Sequence, residues 1–229
     1  MTLDAVVFDL DGTLADTLGD IASAMNYALA RQGLPERSPD EYRLLVGEGV
    51  TRLVERALPE DRADLIEPVL ADLGAHYTDH MLDRTRPYPG IPKMLERLHA
   101  RGIPMAVLSN KPQAATSWMV EQLFGKHRFQ TVLGGSDDMP LKPDPFALLA
   151  IVHRLRVEPE RTAYVGDTRT DMETAVAAGV LPVGVAWGFR KRRELEEHGA
   201  RVVVNRPREL VALFDGSGPV AYQRDIDRP

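Results

Sequence analysis

The chain has 229 residues, no cysteine, and 28 Lys and Arg against 34 Asp and Glu, for a net charge of −6. The negative balance argues against nucleic acid or an anionic membrane as partner, since both need a surplus of cations to displace phosphate counterions. The missing thiols exclude disulfide frameworks, thiolate metal sites and cysteine nucleophiles. No apolar run approaches the roughly 18 residues of a membrane span, and the opening MTLDAVVFDL lacks the basic stretch and long apolar core of a signal peptide, so a cytoplasmic protein is expected.

The first predicted element is a buried strand over residues 5–8, closed by Asp9-Leu10-Asp11-Gly12-Thr13. Similar runs at 103–108, 129–133, 162–165 and 181–186 end in Ser109-Asn110, Gly134-Gly135, Gly166-Asp167 and Trp187-Gly188, with an edge strand expected at 201–204. Helix-like segments alternate with them, the pattern of a doubly wound parallel α/β sheet covered on both faces. Helical periodicity over 17–85, with Ile21, Met25, Ala28 and Leu29 on one face, marks an insertion of about four helices after the first strand. Within it Ser38-Pro39-Asp40-Glu41 has capping-box spacing, Gly33 and Gly74 suit helix ends or bends, Pro68 should end or kink a helix, and Asp16 reads as the first helix's N-cap. Residues 1–16 and 86–214 then form the core domain, 17–85 a helical cap, and 215–229 a tail.

Asp9 and Asp11 lie two apart on an extended chain and Asp167 and Asp171 at a strand end and the following first helical turn. Like charges so placed need a cation, and an all-oxygen set suits Mg²⁺. Ser109, Asn110, Thr13 and the Pro-flanked Lys142 supply donors for a phosphate; only 5 of the 28 cations are lysines. Bringing the strand ends at Asp9, Ser109 and Asp167 together favours the order 3-2-1-4-5 with right-handed crossovers, placing the site at the sheet's carboxyl edge beneath the insertion. The loop Gly47-Glu48-Gly49 and Arg52, one helical turn on, are candidates to meet the substrate. Trp187 reads as packing, and Arg190-Lys191-Arg192-Arg193 as a solvated face balanced by Glu194, Glu196 and Glu197.

Asp9-Leu10-Asp11-Gly12-Thr13, Ser109-Asn110, Lys142-Pro143 and Gly166-Asp167-Thr168-x-x-Asp171, in that order, resemble the four motifs of the haloacid dehalogenase superfamily. The segments 46–50 and 53–58 with Tyr88-Pro89-Gly90 further resemble its phosphoglycolate phosphatases. The resemblance implies that Asp9 is the nucleophile forming an aspartyl-phosphate and Asp11 the acid and base. Ser109 and Lys142 would hold the phosphoryl oxygens, with Thr13 and the Asn110 amide assisting. Mg²⁺ would bridge Asp9, the Asp11 carbonyl, Asp167 and, directly or through water, Asp171. Asp11 and the absence of lysine from 17–85 disfavour dehalogenase and phosphonatase chemistry. The resemblance thus points to a small phosphorylated metabolite, foremost 2-phosphoglycolate, hydrolysed by a monomer or homodimer. The alternatives are a phosphosugar mutase, a sugar-phosphate or pyrophosphate phosphatase, and a non-catalytic binding scaffold.

Overall fold

The computed structural model describes residues 3–215. Strand β1 (Ala5–Phe8) is wholly buried because its side chains alternate between two apolar layers: Val6 and Phe8 enter one, Ala5 and Val7 the other. The chain then forms a short strand β2 (Ala15–Asp16) and four helices: α1 (Leu18–Arg31), α2 (Pro39–Leu45), α3 (Val50–Ala57) and α4 (Ile66–His80). It returns through β3 (Arg86–Pro87), which pairs antiparallel with β2, so the insertion is entered and left by a two-stranded ribbon. Asp20 ties this neck from inside: its buried carboxylate accepts from the Arg84 and Thr85 amides and the Thr85 hydroxyl.

Beyond the neck come α5 (Ile91–Ala100), β4 (Met105–Pro112), α6 (Gln113–Phe124), β5 (Thr131–Gly135), α7 (Phe146–Leu155), β6 (Thr162–Gly166), α8 (Arg169–Ala178), β7 (Leu181–Val185), α9 (Arg192–Glu197), β8 (Val202–Val204) and α10 (Pro207–Ala212). The six longer strands form one parallel sheet ordered β5-β4-β1-β6-β7-β8. This is the expected 3-2-1-4-5 order with the edge strand added. Helices α5, α6 and α10 cover one face through Ile91, Leu95, Met119 and Leu210, and α7 and α8 the other through Leu148, Ile151 and Ala175. The insertion has its own apolar cluster, built from α1, α2, α3 and α4 around Met25, Tyr42, Val54 and Val69; Phe189 joins it from the sheet side.

Local signals in the insertion had mixed outcomes. Ser38 and Glu41 form the full capping box, and Gly33, at φ 70°, ends α1 as expected. Pro68 neither ends nor kinks a helix: it falls in the first turn of α4, where backbone N–H groups have no intrahelical acceptor to lose. Gly74 lies inside α4. The N-cap of α1 is Thr17, and Asp16 instead accepts from the Leu18 amide at 3.4 Å. Of the tail assigned to 215–229, only Asp215 lies among the described residues, paired with Arg101 at 3.2 Å.

Candidate active site

The parallel sheet aims the carboxyl ends of β1, β4 and β6 at one place, beneath the helical insertion. Asp9 follows β1 directly and is 5% exposed; its amide donates to the Val165 carbonyl at 2.8 Å. Gly12 then turns the chain at φ 82°, and a Cβ there would sit 2.3 Å from Asp167 Oδ2, so only glycine fits this approach. Asp167 is fully buried, accepting from the Thr13 hydroxyl at 3.0 Å and the Phe189 amide at 2.7 Å. Asp171 is the third residue of α8 and closes a capping box with Thr168, whose amide and hydroxyl both donate to Oδ2.

Lys142 stands among these acids. Its Nζ lies 2.6 Å from Asp171 Oδ1, 3.0 Å from Asp9 Oδ1 and 2.9 Å from the Tyr164 hydroxyl, which in turn donates to Asp171 Oδ1 at 3.0 Å. Burial pushes the Asp9 carboxyl up to about 7 against the pull of Lys142, with Asp171 and Asp11 adding to the rise. Burial, Asp171 and Asp9 likewise hold Asp167 well above the carboxylate range. Burial acts on Asp171 in the same sense, but Lys142 and the Thr168 hydrogen bonds outweigh it and keep the group low. Lys142 is raised: burial alone would lower it, and the two carboxylates more than compensate.

One ligand atom from each of Asp9, Asp167 and Asp171 lies within 4.8 Å of the others. Asp9 Oδ1 is buried and makes no aligned hydrogen bond, although Lys142 is close. Three converging carboxylates with an orphaned oxygen are the donor set a hard divalent cation takes, and such an ion would reverse the rise in carboxyl pKa. The residues therefore fit a divalent metal. The Asp11 side chain faces elsewhere, with Oδ1 3.0 Å from Lys111 Nζ.

A cavity of about 820 Å³ opens above, lined at its floor by Asp9, Asp11, Ser109, Asn110, Lys111 and Lys142. Its upper walls come from the insertion and α6, including Ile21, Leu53, Leu73, Tyr77, Met81 and Trp118. Gly49, in the loop before α3, lines it. Two expectations about the insertion are corrected. Arg52 pairs with Glu55 at 2.7 Å, its side chain 65% exposed, and does not line the cavity, although Val50, Thr51 and Leu53 of the same turn do. Glu48 is drawn outward by Arg56 at 2.6 Å and by Arg169 of α8 at 2.7 Å. Thr13 likewise spends its hydroxyl on Asp167.

Several functional groups escaped the sequence reading. Lys111 is buried beside Asp11 and bonds the Tyr77 hydroxyl of α4 at 2.9 Å. The cue that singled out Lys142, a rare lysine before proline, applied equally to Lys111-Pro112. Arg190 does not belong to the solvated face: it donates to the carbonyls of Arg43, Leu44 and Val46, tying α2 to the sheet, while Arg192 and Arg193 make the expected pairs with Glu196 and Glu197. Trp187 packs as expected, its indole donating to the Thr13 carbonyl at 3.0 Å.

This arrangement, acids and a lysine at the carboxyl edge of a 3-2-1-4-5 sheet under a helical insertion, defines a class of hydrolase, and the sequence profile of the Haloacid dehalogenase-like hydrolase family matches residues 6–185. The chain belongs to that family. It is 35% identical over 219 residues to the phosphoglycolate phosphatase of Pseudomonas putida, covering 92% of this chain and 78% of the relative. Identity is also 35% over 211 residues to the phosphoglycolate phosphatase of Aquifex aeolicus, covering 92% and 96%. The crystal structure of a protein from Lactobacillus delbrueckii subsp. bulgaricus superposes with a TM-score of 0.89 at 31% identity, covering 93% of this chain and 99% of that one.

Proposed function

We propose that this hydrolase is a Mg²⁺-dependent phosphatase of small phosphate monoesters, with 2-phosphoglycolate the foremost substrate. The observation that carries it is the convergence of Asp9, Asp167, Asp171 and Lys142 at the buried floor of a cavity roofed by the helical insertion. The phosphoglycolate phosphatases similar to it over most of their length support the choice of substrate.

In this reading an Asp9 carboxylate oxygen attacks phosphorus and the ester bond to the leaving oxygen breaks, giving an aspartyl-phosphate. Asp11 protonates that oxygen, then takes a proton from the water that cleaves the intermediate and regenerates Asp9. Lys142 and the Ser109 hydroxyl hold phosphoryl oxygens, and the Asn110 amide and Thr13 keep the loop in place. Asp9, Asp167, the Asp11 carbonyl and, with both its oxygens already engaged, Asp171 through water would hold Mg²⁺. The ion, when bound, neutralises charge on the transferring phosphoryl group. Residues 17–85 act as a lid over the core of 1–16 and 86–214, excluding water from the reaction.

The cavity itself favours a second reading. Its volume of about 820 Å³ and its apolar upper walls exceed the needs of a two-carbon leaving group and suit a monoester with a bulkier apolar one. Steady-state hydrolysis of 2-phosphoglycolate, hexyl phosphate and p-nitrophenyl phosphate, with Mg²⁺ and in chelator, tests both readings. The main reading expects the highest kcat/KM on 2-phosphoglycolate, no turnover in chelator, and none in Asp9→Asn. Higher efficiency on hexyl phosphate selects the second reading, and full activity of Asp9→Asn overturns both.

A further inference from the structure

The cavity holds two ammonium groups, and the acid cluster claims only Lys142. Lys111 lies two residues beyond Ser109 on β4, 9% exposed, its Nζ 3.0 Å from Asp11 Oδ1 and 2.9 Å from the Tyr77 hydroxyl. It also stands 4.7 Å from the centre of the Tyr77 ring, a cation–π distance. An ammonium has three donors; one goes to the Tyr77 hydroxyl, and the contact with Asp11 is an ion pair without an aligned hydrogen bond. Desolvating such a group costs several kcal/mol unless it is paired, so this lysine is held charged inside the cavity by contacts with both the sheet and the insertion.

The rest of the wall offers an anion little. Among the described lining residues Lys111 and Lys142 are the only cations; the rest of the lining is largely apolar, with Ile21, Leu73, Met81 and Pro112, and its other polar side chains, such as Thr51, Thr78 and Ser109, are uncharged apart from Asp9 and Asp11. Arg52 lies outside. A monoester whose phosphate sits over Asp9 and whose leaving group carries a carboxylate must satisfy that second charge within the length of a two-carbon chain. Leaving it without an opposite charge would forfeit much of the binding. We propose that Lys111 is the specificity-determining residue, its ammonium receiving the carboxylate of the leaving group while Tyr77 of α4 holds it in position. The inference rests on the phosphatase reading above and selects, within it, monoesters with an anionic leaving group. It also makes recognition depend on the insertion being in place, because Tyr77 is contributed by α4.

The test compares 2-phosphoglycolate with 2-hydroxyethyl phosphate, which replaces the carboxylate by a neutral hydroxymethyl group at nearly equal size. Wild type and Lys111→Met are assayed with Mg²⁺ on both, separating kcat from KM. The expected result is a wild-type preference for 2-phosphoglycolate of about 100-fold in kcat/KM, the scale of a desolvated charge pair, carried largely by KM and reduced to within a few-fold in Lys111→Met. If Lys111 only neutralises Asp11, the substitution lowers both substrates alike and the preference survives; that overturns the inference and leaves the phosphatase reading standing. A wild type that hydrolyses both esters equally also overturns it, and one that hydrolyses neither brings down the reading as well. Should Lys111→Met fail to fold, Tyr77→Phe replaces it: a preference cut several-fold supports the inference, and an unchanged one overturns it.

Discussion

Asn110 brackets Lys142 with its side-chain amide. Oδ1 accepts from the Lys142 backbone N–H at 2.8 Å and Nδ2 donates to the Lys142 carbonyl at 3.0 Å. The same Nδ2 donates to the Gly47 carbonyl at 3.1 Å, so one amide positions the lysine and touches the insertion. Asn110→Ala removes all three bonds and strands backbone groups in a buried place. A cost of about 2–4 kcal/mol in urea denaturation is expected, at roughly 1 kcal/mol or more for each bond. In steady-state assays kcat falls by about tenfold or more as Lys142 loses its fixed place.

Gly12 makes a second, sharper prediction. Alanine there would have to adopt φ 82° and would put its methyl carbon 2.3 Å from Asp167 Oδ2. The left-handed backbone alone costs about 1–2 kcal/mol, and relief of the clash must displace Asp167. Gly12→Ala is expected to weaken Mg²⁺ binding, measured by calorimetry, by about tenfold or more. An unchanged metal affinity would show that the Asp167 position is not set by this turn.

The contrast between these residues and Arg52 shows where sequence is informative. Strands β1, β4 and β6 announce themselves as apolar runs closed by polar groups, and parallel pairing with right-handed crossovers leaves few ways to order them, so the floor of the site was legible. In the insertion the apolar face of α1 with Ile21, Met25, Ala28 and Leu29 was legible too, but the direction the charged side chains take was not. Arg52 and Glu48 have near partners of opposite charge, Glu55, Arg56 and Arg169, and turn toward them; spacing cannot tell those pairs from substrate contacts. Lys111 was hidden for another reason: β4 runs on to Pro112 with a register shift against β5, whereas the apolar run stops at Leu108. Arg190 sat in a basic run that is solvated except at this one position, which helix α2 covers.

Glu48 supplies a pH-dependent tether between the insertion and α8. Burial pulls its carboxyl upward, but the hydrogen bonds from Arg56 and Arg169 outweigh that and set it below its ordinary 4.5. A depressed carboxyl contributes stability above its unfolded value and loses it as pH falls through the folded one. The stability gap between wild type and Glu48→Gln is therefore expected to be full at pH 7 and to close progressively below pH 4.5 in urea titrations. A gap that widened with acid would reverse the sign and refute the tether.

Metal should stabilise this chain as well as activate it. Asp9, Asp167 and Asp171 are all buried around a single lysine, so without a cation the fold bears the cost of burying these acids, which drives the Asp9 and Asp167 carboxyls upward. An ion bound by the folded state and not by the unfolded chain adds about 2.7 kcal/mol at a hundred times its dissociation constant. For a chain of this size that is a rise of about 5–10 °C in the unfolding midpoint between excess chelator and saturating Mg²⁺. Asp167→Ala removes a ligand together with a carboxyl that is costly to bury, so its midpoint in chelator should lie closer to that of wild type in Mg²⁺ than the lost Thr13 and Phe189 hydrogen bonds alone would allow. More decisively, its midpoint should no longer respond to Mg²⁺. Arg52→Ala, on the solvent face of α3, keeps the full response. Differential scanning calorimetry of the three proteins in chelator and in Mg²⁺ checks this, and a metal-induced rise that persists undiminished in Asp167→Ala would place the ion elsewhere.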